Sequence, residues 1–386
     1  MKTAGIIAEF NPFHNGHKYL IGEIKYSYAD AVIAVMSGSF VQRGDIAVTD
    51  KWTRAAIAVK CGADLVLELP AVYSMNTAQK FAFGAVSILN ASGAADMIAF
   101  GSESGDTRSL AEAARVIAEE PPEVSEKIKE YLSAGITYPA ARKRAFEDIC
   151  GVYIPDSPND ILAVEYLRAV YETGSALGAQ AVPRLGAGHD SEAISGGIAS
   201  ASEIRRRLYS GIGAEGLVPN PNFDIYDPSR LDAAVIGKIR TGTAEHISGI
   251  NDVCEGLENK FIKAARECST VGELCMAVKS KRYTLSRIRR IAWSVLLDLT
   301  GDLCSEPPGY IRVLAMNRTG REILRKMKKT ASVPVVIKAA DYAGSGTDRI
   351  FAANSRAEDW FALCAPRPEL RRGGRDMTMS PVIIDE

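Results

Sequence analysis

Histidine is scarce in this chain, four among 386 residues, and cysteine is scattered: seven, at positions 61, 150, 254, 268, 275, 304 and 364, with no C-x-x-C pair. An odd number of widely spaced thiols argues against a disulfide framework, and the Cys/His content argues against a zinc cluster. Long apolar runs are missing too. No stretch approaches the ~18 uncharged residues that cross a bilayer, and the N-terminal apolar run meets Glu9 too soon for a signal-peptide core. Neither G-x-x-x-x-G-K-[ST] nor a G-x-G-x-x-G following a strand occurs, which removes the P-loop and the dinucleotide fingerprint. The expectation is a cytoplasmic protein without a protein-held metal.

What is present is the composition of a globular chain, 47 % hydrophobic and 24 % charged, with room for two or three domains. The net charge of −1 conceals an asymmetry: residues 1–224 hold 20 Lys+Arg against 27 Asp+Glu, and residues 225–386 hold 26 against 20. A basic C-terminal half suits a polyanionic partner, although a solvated surface carries the same excess.

Apolar runs bounded by turn residues occur at Ala4–Phe10, Asp30–Ser37, Ala63–Leu69, Asp96–Gly101 and Ala179–Leu185. Helical spacing fills His17–Tyr28, Lys51–Cys61 and Asn76–Asn90 between the first four. Short buried runs alternating with helices predict an α/β fold, a Rossmann-like parallel sheet. Residues 107–175 read as a helical insertion, 186–197 as a Gly/Ser-rich loop, and Ser200–Tyr209 as a helix. A boundary falls at 218/219, near Pro219-Asn220-Pro221-Asn222. The region 219–386 reads as mainly helical, at Leu231–Arg240, Gly256–Glu267, Val271–Val278, Thr284–Leu299 and Gly320–Met327, with a short strand at Val333–Ile337.

The chemistry gathers where the first strand ends. Asn11-Pro-Phe-His-Asn-Gly-His17 leads into a helix. A helix start offers unpaired N–H groups and partial positive charge to a phosphate, and Gly16 permits close backbone approach. His14 and His17, three apart, share one side of the first turn and could hold phosphate oxygens as charge builds during displacement. A metal pair or an inert polar turn would fit the same spacing. Past the fifth run, Ser200, Ser202 and Arg205 open a helix and could receive pyrophosphate; a plain N-cap is the other reading. Lys51 and Arg54, one turn apart, could face phosphates or a carboxylate, or pair with Asp50 or Asp64. Gln42 and Arg43 lie in a Gly-flanked loop after the second run and suit a small-acid pocket or RNA.

H-x-G-H after the first strand with Ser-x-Ser-x-Ile-Arg after the fifth resembles the nucleotidyltransferase superfamily. Gly5-Ile-Ile-Ala-Glu-Phe-Asn-Pro-Phe-His-Asn-Gly-His17, Met36-Ser-Gly-Ser-Phe-Val-Gln-Arg-Gly44, Asp50-Lys-Trp-Thr-Arg54, Phe100-Gly-Ser-Glu103 and Lys281-Arg-Tyr-Thr284 narrow the resemblance to the bacterial tRNA(Met) cytidine acetate ligase family, over nearly the whole chain. The resemblance implies activation of acetate by ATP to acetyl-adenylate. The acetyl group then passes to N4 of the wobble cytidine of elongator tRNA(Met). It further implies an ATP site at Ile7, Ala8, Glu9, Phe10, Asn11, Pro12, Phe13, His14, Asn15, Gly16, His17, Lys18, Tyr19 and Leu20, with Gly101, Asn159 and Arg184. Arg184 ends an apolar run, where open α/β sheets bind ligands, though a surface arginine reads the same way. Asn159 is as readily a helix N-cap. Ala199 and Ala201 depart from the superfamily pattern, which often has hydroxyl residues there. Mg2+ accompanies ATP in this expectation, with no protein site assigned.

The densest basic stretch, Lys279–Arg290, supplies RNA candidates: Lys281, Arg282, Tyr283, Arg287 and Arg290, the last two on one helical face, with Tyr283 available to stack on a base. A solvated helix face is the plain alternative. A small-molecule adenylyltransferase would account for the histidine motif but not for the basic C-terminal region. A non-catalytic RNA-binding protein would not need the intact histidine pair.

Overall fold

The five apolar runs each form a strand: β1 (Thr3–Ala8), β2 (Ala31–Ser37), β3 (Leu65–Leu69), β4 (Met97–Ser102) and β5 (Gly178–Pro183). The computed structural model describes residues 1–184, 197–254, 256–343 and 348–385. The loop expected at 186–197 thus lies outside the described residues, Gly197 excepted. The strands pair in parallel in the order β3-β2-β1-β4-β5. β2 shows no polar alternation because both its faces are covered. Val32, Ala34 and Met36 join one core with Ile21, Ile24 and Trp52, while Ile33 and Val35 join the other with Val86 and Leu89. Burying each of the larger of these side chains stabilises the sheet by about 1.5–3 kcal/mol.

Helices Asn15–Ser27, Lys51–Lys60 and Ala78–Ser92 begin on side-chain caps from His14, Asp50 and Thr77. The insertion is four helices, Thr107–Glu119, Pro122–Ser133, Tyr138–Cys150 and Pro158–Glu172. The last of them packs against the first and against Ala78–Ser92.

Beyond residue 219, helices Asp232–Thr241, Leu257–Glu267, Val271–Val278, Leu285–Leu297 and Arg318–Thr330 stand where the spacing placed them. Strand β6 (Ile311–Met316) and helix Arg349–Ala362 are the longest of the elements that were not legible. β6 pairs antiparallel with β3, and β7 (Val335–Val336) and β8 (Val382–Ile383) pair in parallel with β6. The sheet therefore runs across the boundary expected at 218/219.

A buried ionic cluster fastens this seam. Lys51 Nζ lies 2.7 Å from Glu68 on β3, 2.7 Å from Asp376 and 3.8 Å from Glu358. Arg312 of β6 reaches Asp376 at 3.1 Å. Burial alone would pull the Lys51 ammonium down, but Asp376, Glu68 and Glu358 outweigh it and hold it above its usual range. Glu358, the farthest carboxylate, is pushed up to about 7 by burial, against the pull of Lys51. Asp376 stays low, because Lys51 and Arg312 overcome its burial.

Candidate active site

In an open sheet of this order ligands bind where the strand order reverses, outside the carboxyl ends of the strands. Here that point lies between β1 and β4, and a cleft of about 560 Å³ opens there. The chain leaves β1 through Phe10 at φ 46°. This is a conformation a bulky side chain rarely adopts, at a cost of about 1–3 kcal/mol. Packing sustains it: the buried Phe10 ring lies 4.8 Å from Phe13 and 4.9 Å from His17.

The two motif histidines cap their own helix. The Gly16 N–H donates to His14 Nδ1 at 3.1 Å, and the His14 N–H donates to His17 Nδ1 at 3.2 Å. An Nδ1 that accepts cannot carry a proton, so each neutral ring is protonated on Nε2. The rings stack with centroids 3.7 Å apart, and both line the cleft. His17 is held well below its usual pKa, first by burial and then by His14 and Arg184. The pair is thus two neutral N–H donors with fixed tautomers.

Five helix N-termini converge on the cleft, that of Ala78–Ser92 through Ala78. Gly16 comes from helix Asn15–Ser27, Pro158 and Asn159 from Pro158–Glu172, Ser200 and Ala201 from the start of Ala201–Tyr209, and Ser286 from Leu285–Leu297. Each adds partial positive charge suited to an anion. Ile7, Phe81, Phe100, Ile161, Leu162 and Tyr166 form an apolar wall.

Of the expected ATP residues, Ile7, Ala8, Glu9, Phe10, Asn11, His14, Gly16, His17, Tyr19, Leu20, Gly101, Asn159 and Arg184 lie on the cleft wall, as do Gln42, Arg43 and Ser200. The others stand behind or beside it. Phe13 and Pro12 are buried, and Lys18 is exposed. Asn15 spends its amide on the carbonyls of Gly197 and Gly216. Ser202 lies 3.1 Å from Ser200, and Arg205 donates to the Asn11 carbonyl at 2.7 Å.

Lys51 and Arg54 correct the expectation of phosphate or carboxylate contacts. Lys51 is turned into the ionic cluster under the sheet edge. Arg54 is fully buried and donates to the carbonyls of Thr49, Glu9, Ser37 and Gly38, so it clamps the ends of β1 and β2. Burial lowers its pKa to about 10. The RNA candidates divide in the same way. Lys281 and Arg282 are exposed, with Tyr283 beneath Arg287, whose guanidinium lies 5.0 Å from the ring. Arg290, however, is buried against Asp252 at 3.1 Å, and Arg287 donates to the Asp252 carbonyl. These two pin the segment rather than present charge.

Asp160 escaped sequence reasoning although it adjoins Asn159. Its carboxylate accepts from Ser102, from the Glu103 and Ser104 N–H groups and from Ser157, tying the insertion to the end of β4. Asn159 meanwhile donates to Glu103. Asp160→Ala is expected to lower kcat/KM for ATP on the order of tenfold to a hundredfold by releasing the Gly101–Asn159 rim. Initial rates over an ATP series check this, and unaltered kinetics would remove Asp160 from the account.

The described residues contain no helix long and apolar enough to cross a membrane. Residues 1–376 match the HIGH Nucleotidyl Transferase family model. The chain is 40 % identical over 385 residues to the tRNA(Met) cytidine acetate ligase of Thermoanaerobacter sp. (strain X514), covering 94 % of this chain and 95 % of that one. It is 36 % identical over 415 residues to that of Acetivibrio thermocellus, covering 100 % of both. It superposes on Thermotoga maritima TmcAL bound with alpha-thio ATP at a TM-score of 0.90, with 32 % identity and 100 % of both chains covered.

Proposed function

Because the chain belongs to the HIGH nucleotidyl transferase family and, within it, to the tRNA(Met) cytidine acetate ligases, we propose that its cleft joins acetate to ATP and hands the acetyl group to a tRNA cytidine. The observation that carries this reading is the stacked, tautomer-fixed pair of imidazoles at the point where the strand order reverses.

The adenine lies against the apolar wall of Ile7, Phe100, Leu162 and Tyr166. The phosphates face His14, His17, Arg184 and the helix starts at Gly16 and Ser200. An acetate oxygen, already ionised at neutral pH, attacks the α-phosphorus as the bond to the β-phosphate bridging oxygen breaks. Pyrophosphate leaves and acetyl-adenylate remains. Negative charge grows on phosphate oxygens during this step, and Nε2–H donors already in place stabilise it without reorganising. The cytidine N4 amine then attacks the acetyl carbonyl, AMP departs with the C–O bond electrons, and N4 loses a proton. The sum is ATP, acetate and cytidine to AMP, pyrophosphate and N4-acetylcytidine. Magnesium enters as the counter-ion carried by ATP, since its hard-oxygen preference suits phosphates and water.

Gln42, Arg43 and Ser286 bring the acetate and the RNA base to the cleft from the side where residues before and after 219 meet. Residues 219–386 act as the tRNA-binding region, with Lys281, Arg282 and Tyr283 near the mouth. An enzyme consuming ATP and tRNA works in the cytoplasm. The deciding experiment measures pyrophosphate release from ATP with and without acetate, then adds bacterial tRNA and analyses its nucleosides by mass. Acetate-dependent release with N4-acetylcytidine supports the reading. Release that ignores acetate, or that needs a phosphorylated metabolite, replaces it with a small-molecule adenylyltransferase.

A further inference from the structure

Helix Arg318–Thr330 carries six cations, Arg318, Arg321, Arg325, Lys326, Lys328 and Lys329, against one carboxylate, Glu322. Its apolar face, with Ile323, Leu324 and Met327, is buried, and all the cations except half-buried Arg321 are exposed. Arg321 pairs with Asp385, and Lys326 donates to the Ala94 carbonyl. Among the described residues, the side chains of Arg318, Arg325, Lys328 and Lys329 have no ion-pair or hydrogen-bond partner. At 100° per residue, positions 318, 321, 325 and 328 fall on one stripe about 15 Å long. Arg318, Arg321 and Arg325, with the carboxylates Glu322 and Asp385, also line a surface hollow of about 380 Å³.

The helix lies at the far end of the sheet from the cleft. Asn317 binds Asp64, just before β3, and Thr330 binds the Ser92 carbonyl, just before β4. The cleft opens at the opposite, carboxyl ends of the strands. A six-residue strand puts about 20 Å between the two.

We propose that this stripe docks the phosphate backbone of the tRNA body, away from the cytidine held in the cleft; the inference rests on the ligase reading. Arg318, Arg325 and Lys328, unpaired among the described residues, with Arg321 tied to Asp385 between them, offer a row of cations that matches a phosphate row, and Arg forks suit phosphate oxygens. The helix's own apolar residues, Ile323, Leu324 and Met327, are buried, so it presents no apolar face of the kind an amphipathic helix inserts into a membrane surface.

The test is Arg318→Glu/Arg325→Glu in the full chain, with Arg318→Lys/Arg325→Lys beside it. Kd for full-length elongator tRNA is expected to rise about tenfold or more for the glutamate pair. The slope of log K against log salt should become shallower by about 1.5, since each lost phosphate contact removes roughly 0.7–0.9. The lysine pair should keep most of the affinity. An excised anticodon stem-loop, which lacks the tRNA body, should bind both variants as it binds the parent. Acetate-dependent pyrophosphate release without tRNA should be unchanged, which certifies the fold. Unchanged tRNA affinity and slope would overturn the proposal, and so would an equal loss for the stem-loop. If the parent protein makes no N4-acetylcytidine yet the variant still loses salt-dependent RNA affinity, the ligase reading falls and the RNA surface stands.

Discussion

Replacing His14 or His17 with alanine is expected to slow acetate-dependent pyrophosphate release by a factor on the order of 10²–10³, the usual loss when one fixed donor to a developing charge is removed. Each ring also serves the helix cap, so some stability goes with it, about 1 kcal/mol or about 2–4 °C in Tm. A rate loss with a melting shift of that size separates chemistry from unfolding. A fall of less than tenfold would deny the imidazoles a part in the displacement. The pH profile tests the protonation state. Burial, then His14 and Arg184, hold His17 well below its usual pKa, so its neutral form persists from about pH 6 to 8 and the activation rate should be level there. A rate that climbs as pH falls through about 6.5 would point to an imidazolium instead. Such a cation would also break the bond that each Nδ1 accepts.

Lys51→Met is expected to destabilise the fold by about 3–5 kcal/mol, because it leaves Glu68, Asp376 and Glu358 buried without their shared cation. At about 2–4 °C per kcal/mol, Tm falls by roughly 6–15 °C. The sign of the pH dependence follows from the carboxylates. Without Lys51 the Glu358 carboxyl, already pushed up by burial, moves further up, above its value in the unfolded chain. A carboxyl shifted in that direction favours folding most at low pH and loses that favour as pH rises through its folded value. The deficit should therefore be smaller at pH 5 than at pH 8, which thermal melts at both will show. Below its melting temperature the variant should keep KM for ATP within about twofold, since Lys51 is absent from the cleft wall. Unchanged melting with a large rise in KM would return Lys51 to the phosphates.

The parallel sheet was legible because its strands are uninterrupted apolar runs between capped helices, and the histidine motif because it sits at the junction of the first such pair. β6 was not, because Arg312, the second residue of Ile311–Met316, reads as a surface charge. Among the described residues its neutralising carboxylate is Asp376, 64 residues onward. Lys51, Arg54 and Arg290 were misread for a related reason. Sequence shows a cation and its spacing, but not the carboxylates or carbonyls that long-range packing brings to it. Arg54 finds three carbonyls at the ends of β1 and β2 and a fourth, Thr49, ahead of its own helix, which no pattern of residue types announces. Asp160 was hidden by its neighbour, since Asn159 drew the attention while the carboxylate ties the rim. The distance of helix Arg318–Thr330 from the cleft was not legible, because it required the antiparallel course of β6.

That course has a consequence for synthesis on the ribosome. β3 is an apolar strand whose outer edge is covered by β6, made some 240 residues later, and the partners of Lys51 at 358 and 376 arrive later still. A nascent chain that has already produced the histidine motif thus carries an open strand edge, and a Lys51 with Glu68 as its one available cluster partner, until almost all of it has emerged. Open edges recruit other strands, so the burden of protecting this half-built sheet falls on chaperones and on the speed of translation rather than on the early part of the sequence.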